Sequence, residues 1–176
     1  DNSRTFYFFT SAHKPTDGSF ELINLHKIAL AHEQLDKQTT KIDIVNHLKR
    51  FGWLSFTKFV GEPWSEDTIL ERLKLLKNGD LYKELEELEN AYTNNENETK
   101  NLIAKNKVNK HDEKIIWLVK ELAYFRTYRL DIYTKAGFNV KSLFDVIAKV
   151  IGLPEQDLVF LTYSEILDCL RKGSNA

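Results

Sequence analysis

The chain has 176 residues, 42% of them apolar, and its 25 Lys and Arg nearly balance 26 Asp and Glu for a formal charge of -1. That length suits one domain with a real core, and the near-neutral balance excludes a general attraction to nucleic acid or to an acidic membrane. Seven Gly and three Pro are few for a turn-rich β fold, no apolar run nears the ~20 residues of a membrane helix, and the single Cys169 cannot close an internal disulfide, so a cytoplasmic setting is expected.

Residues 1–19 read as an irregular arm. Thr5–Phe9 is apolar but too short to assign by period, and Pro15 and Asp17-Gly18 mark a loop. From Phe20 the row Leu22, Leu25, Ile28, Ala29 predicts a helix. A polar break at Gln38–Lys41 separates it from a second helix over Ile42–Phe51, which Gly52 stops. An aromatic segment follows to Trp64. Ser65 then reads as an N-cap, with Glu66 and Asp67 in the first turn and Trp64 and Ile69 placed for a hydrophobic staple.

Asp80 caps the next predicted helix, whose stripe Leu81, Leu85, Leu88, Tyr92 faces a partner helix. The stripe weakens over Asn94–Asn101, and the chain reverses near Asn106–Asp112. The longest helical signal then runs through Ile115, Leu118, Leu122, Phe125, Arg129 and Ile132, with a kink or break expected at Gly137. Gly152 and Pro154 end it. Thr162-Tyr163-Ser164-Glu165 is a capping box for a last short helix, in which Cys169 packs with Ile166, Leu167 and Leu170. The expected fold is all-α: one domain over 1–176, a long antiparallel helical pair with shorter helices packed at its ends. The absence of Met, with a linker-like stretch at 171–176, suits a piece of a longer chain.

No catalytic constellation can be assembled. The five histidines show no i, i+4 pair, and Asp36 stands where a zinc-protease motif starting at His32-Glu33 needs its second His. There is no nucleophile elbow and no Gly-rich phosphate loop, so neither a metal nor a nucleotide is expected in this chain. Two features remain. Arg126 and Arg129 share a helix face with aromatic neighbours including Tyr133, which suits bidentate binding of carboxylate or phosphate, or an ion pair with Asp131, Glu121 or an acidic residue of the facing helix. Phe51, Trp53, Phe56, Phe59 and Trp64 form a dense aromatic group that suits an interaction patch or a core.

The C-terminal third carries a resemblance. Glu121-Leu-Ala-Tyr-Phe-Arg126-Thr-Tyr-Arg129, then Ile147-Ala-Lys-Val-Ile-Gly-Leu153, then Val159-Phe-Leu-Thr-Tyr-Ser-Glu-Ile166 resemble the helical segment of PEP-utilising phosphotransferases. That class includes phosphoenolpyruvate synthase, pyruvate phosphate dikinase and rifampicin phosphotransferase. Phe51-Gly52-Trp53-Leu54, followed by Gly61-Glu62-Pro63, is similar to a weaker landmark of the same class. The resemblance implies a helical connector just upstream of a swivelling phosphohistidine domain. ATP, PEP and Mg2+ would then belong to other domains of the parent, the ATP-grasp domain among them. None of the histidines here has the Gly-rich, Thr- and Ser-flanked setting of the carrier, so no catalytic residue transfers. Only the paired basic positions match, at Arg126 and Arg129. The alternative expectation is a freestanding helical interaction module using the aromatic segment 51–64.

Overall fold

Every regular element is helical among the residues that the computed structural model describes: 2–32, 37–56, 61–76 and 79–173. In chain order these are α1 (Asn2–Thr10), α2 (Asp17–His32), α3 (Lys37–Phe51), a 3₁₀ turn over Gly52–Ser55, α4 (Glu66–Leu76), α5 (Leu81–Lys105), α6 (Lys110–Ile151), α7 (Glu155–Leu158) and α8 (Tyr163–Gly173). The expected irregular arm is therefore largely helical, because α1 forms over the apolar run and α2 begins at Asp17, inside the predicted loop. The polar break at Gln38–Lys41 is absent too, since α3 already includes it. Helix α6 runs through Gly137, a buried position, without a break.

Local chemistry sets the helix ends. The Ser65 hydroxyl accepts from Thr68 N at 3.2 Å and opens α4. Asp80 accepts from Lys83 N at 3.2 Å and opens α5. Asn109 accepts from His111 N at 2.9 Å and Asp112 N at 3.0 Å, at the start of α6. At α8 the capping box closes in both directions: Thr162 N donates to Glu165 at 2.7 Å, and Glu165 N donates to the Thr162 hydroxyl at 3.4 Å. Two helices end in left-handed residues. Gly152 (φ 74°) ends α6, with Leu153 N bonded to Ala148 O. Lys107 (φ 51°) follows α5, with Val108 N bonded to Ile103 O.

The chain divides into two compact units, Asp1–Gly52 with Trp64–Asp131, and Trp53–Pro63 with Ile132–Ala176. In the first, α2 packs against α3, α4 and α5. Its core gathers Leu25, Ile28, Ala29, Ile44, Ile69, Leu73 and Leu81, with Trp64 and Leu76 against it. The predicted α5 stripe thus meets α2, and the Ser19 and Tyr92 hydroxyls lie 2.6 Å apart. In the second unit Trp53, Phe56, Ala148 and Leu158 are buried. Phe56 meets Phe138 edge-on at 6.1 Å, and Lys135 lies over the Trp53 ring at 5.4 Å.

Candidate functional site

The first unit encloses a charged cluster that the sequence did not advertise. Glu21 sits one helical turn before Leu25 on the buried side of α2 and is itself 4% exposed. Its carboxylate lies 3.0 Å from His47 Nε2 on α3 and 2.8 Å from Arg72 Nη1 on α4. Arg72 Nη2 donates to the second carboxylate oxygen at 2.9 Å. His47 Nδ1 lies 2.7 Å from Asn24 Oδ1, and Arg72 stacks over Trp64 at 4.4 Å. Burial pushes the Glu21 carboxyl up, but hydrogen bonds and charge from His47 and Arg72 outweigh it and hold the group below its usual range. The cluster joins three helices through one carboxylate. The one sequence signal for it was a Glu in phase with the apolar row Leu25 and Ile28.

A second polar cluster holds α1. Lys120 of α6 is wholly buried and donates to Phe8 O at 2.6 Å and to Asn95 Oδ1 at 2.5 Å. The Thr99 hydroxyl donates to Asn95 O at 2.7 Å and to Phe8 O at 3.2 Å. Asn95 Nδ2 donates to the Ser11 hydroxyl at 2.7 Å. Desolvation lowers the Lys120 pKa from the ordinary lysine value. The polar stretch Asn94–Asn101, where the α5 pattern weakens, is therefore a helix whose buried Asn95 and Thr99 fasten α1. Nearby, Lys14 reaches both oxygens of Glu121 at 2.9 Å, and His13 Nε2 lies 3.1 Å from the same carboxylate. The Lys14 hydrogen bond holds Glu121 below the usual carboxylate range.

The expected site residues fall apart into different settings. Arg126 and Arg129 are exposed in the first unit, and neither has an ion pair among the described residues. The expected partners are taken: Glu121 by Lys14, and Asp131 by Asp17 N at 3.3 Å. Beside them Tyr124 and Tyr128 stack at 5.4 Å. Tyr133 belongs to the second unit and is 54% exposed.

The described members of the aromatic group are buried or half-buried. Phe51, Trp53 and Phe56 are buried and Trp64 is half-buried, while Phe59 lies outside the described residues. The rings are used internally: Phe51 against His47 at 5.2 Å, Phe56 against Phe138, Trp53 under Lys135, Trp64 under Arg72. An open groove of about 450 Å³ on α1 and α5 is lined by Arg4, Tyr7, Asn94, Asn97, Glu98 and Asn101, and its carboxylate, Glu98, is paired with Arg4 at 2.9 Å. No cluster of His, Cys, Asp or Glu able to hold a metal occurs among the described residues. No helix there is long and apolar enough to cross a membrane.

The apolar row of α6 also differs from expectation. Ile115, Leu118, Leu122 and Phe125, the strongest part of the predicted stripe, are 46–58% exposed. The helix instead turns Ile116, Trp117, Lys120 and Tyr124 toward its own unit. In the second unit Leu143, Val146, Val150, Phe160 and Tyr163 are likewise exposed.

The chain matches no family model, no curated protein and no solved structure.

Proposed function

We propose that this chain is a non-catalytic helical connector and docking domain of a PEP-utilising phosphotransferase, holding a swivelling phosphohistidine domain within reach of its reaction centres. The reading rests on the residues at 121–129, 147–153 and 159–166 that resemble that class. The observation that carries it furthest is the state of Arg126 and Arg129: exposed, beside stacked tyrosines, and without an ion pair among the described residues. Guanidiniums placed this way suit a carboxylate or phosphate brought by a neighbouring domain. Phosphoryl transfer depends on positioning and charge stabilisation, so a rigid platform matters without holding the reactive group.

In this reading α5 and α6 form the long antiparallel pair, and the setting is cytoplasmic. The partners are the swivelling and ATP-grasp domains of the same parent chain, which would supply the sites for ATP, PEP and Mg2+. The gene decides it. The reading frame should continue past Ala176 into a Gly-rich stretch with a Thr- or Ser-flanked histidine. A stop codon there, or ATP hydrolysis by the 176-residue chain alone, refutes the proposal.

A further inference from the structure

Helix α5 places asparagine at three exposed positions that its own chain does not use. Asn94, Asn97 and Asn101 stand at spacings of three and four, so they share one helix face. All three are exposed, and none of their carboxamides has a hydrogen-bond partner among the described residues. Asparagine is a poor helix former because its amide competes for the backbone, so the row weakens α5 with no return inside the fold. Asn95 is the contrast: it is buried and bonded to Lys120 and to Ser11.

The three free carboxamides line one groove, the 450 Å³ opening to which α1 contributes Arg4, Tyr7 and Phe8. A second recess of about 380 Å³ shares Arg4, Glu98 and Asn101 with it and carries on to Lys105 and Asn106, so the two adjoin along α5. The lining selects the ligand. Arg4 and Glu98 are paired at 2.9 Å, so the 450 Å³ groove carries no net charge. That disfavours a phosphate-rich chain, which needs surplus cations. A wholly apolar ligand would strand the carboxamides. An extended peptide is recognised through a strand edge with pockets for alternate side chains, and both walls here are helices. Each carboxamide offers donors and an acceptor side by side, which matches neighbouring hydroxyls that also donate and accept. Tyr7, 61% exposed, and Phe8 add aromatic rings, against which the C–H face of a sugar ring packs.

We propose that the groove between α1 and α5 binds a neutral oligosaccharide, with hydroxyls on Asn94, Asn97 and Asn101 and a ring against Tyr7. The row rises about 10 Å along α5, which gives room for more than one sugar ring. Helix α1 buries none of its residues, and polar contacts at Phe8 O and Ser11 tie it to α5 and α6. A ligand touching both walls therefore also holds α1 in place. The inference needs no domain beyond this chain, so it stands or falls apart from the connector reading.

An NMR titration of the 15N-labelled 176-residue chain tests it, with tetrasaccharides of β-linked glucose, mannose, xylose, galactose and N-acetylglucosamine and of α-linked glucose. At least one should shift the amides of residues 4–8 and 94–101 and slow amide exchange across α1. Asn97→Ala combined with Asn101→Ala should weaken that binding about tenfold or more, the loss of two hydrogen-bonding groups. The double variant should melt no lower than wild type, because alanine is the better helix former and these amides hold nothing within the chain. Tyr7→Ala should also weaken binding while keeping the helical circular dichroism. The proposal is overturned if no sugar of the panel shifts those amides, or if the double variant binds as wild type does or melts lower. It is also overturned if a neutral Gly-Ser peptide or a sulfated heparin fragment gives the same shifts at lower concentration than every sugar.

Discussion

Replacing Glu21 by Gln keeps the size and shape of the side chain and removes one charge from the cluster on α2, α3 and α4. His47 and Arg72 then keep their places with no carboxylate between them, although Arg72 retains a 26% exposed side chain that water can reach. Breaking a buried ion pair costs about 3–5 kcal/mol, and the partial exposure of Arg72 argues for the low end, about 3 kcal/mol. Urea unfolding followed by circular dichroism, with tryptophan fluorescence to report on Trp64 over Arg72, measures the loss. Its pH dependence has a definite sign. The folded Glu21 pKa lies below the ordinary value, so the carboxylate's contribution is complete above the unfolded pKa and fades as pH falls through the folded one. The gap between wild type and Glu21→Gln should therefore narrow as pH falls below the ordinary glutamate range and on through the lowered folded pKa. A loss under about 1 kcal/mol at neutral pH, or a gap that ignores pH, would refute a charged cluster as the tie among these helices.

Lys107 ends α5 with φ 51°, a conformation that costs a residue with a Cβ about 1–2 kcal/mol. Lys107→Gly should therefore raise stability by about 0.5–1 kcal/mol, part of the relief being returned as unfolded-chain entropy; thermal unfolding checks it, and a lower midpoint would contradict it. Thr162→Ala removes the hydroxyl that caps α8 and should cost that helix about 1 kcal/mol, seen as faster amide exchange over residues 163–168. Thr162→Ser should keep the exchange near wild type.

Much of the fold was legible where a short-range rule decides the outcome. Ser65, Asp80 and the Thr162–Glu165 box each act within one turn, and each does what its sequence position implies. Legibility failed where a residue's partner is remote. Asn95 and Thr99 look like a polar interruption of α5 until α1 arrives from more than eighty residues away to meet them. Lys120 looks solvated until its ammonium is found on Phe8 O. The aromatics from Phe51 to Trp64 show the same limit in reverse: composition marks a large apolar surface but not which side of it is covered. Of the expected site residues, Arg126 and Arg129 are exposed. Phe51, Trp53 and Phe56 are buried.

The choice α6 makes in the first unit follows from comparing its two sides. Turning Ile115, Leu118, Leu122 and Phe125 inward would remove roughly 400 Å² of apolar surface from water, worth about 10 kcal/mol as an upper bound. Against that stand the hydrogen bonds of Lys120 to Phe8 O and Asn95, about 1.5–3 kcal/mol each for a charged donor, and the burial of Trp117 and Tyr124. The two sides are of similar worth, so hydrophobic gain alone does not set the rotation of α6. The Lys120 contacts do, because they are directional and a buried ammonium is costly unless it meets acceptors such as Phe8 O and Asn95 Oδ1. A helix locked by a lysine on one side keeps its apolar row facing outward as a fixed surface. Lys120→Met should test this directly. Without the lock, α6 is free to turn the row inward, so the variant should fold with position 122 protected, read as slower thiol labelling of a cysteine placed there. A Lys120→Met chain in which position 122 labels as fast as it does beside Lys120 would show that the row faces outward for some other reason.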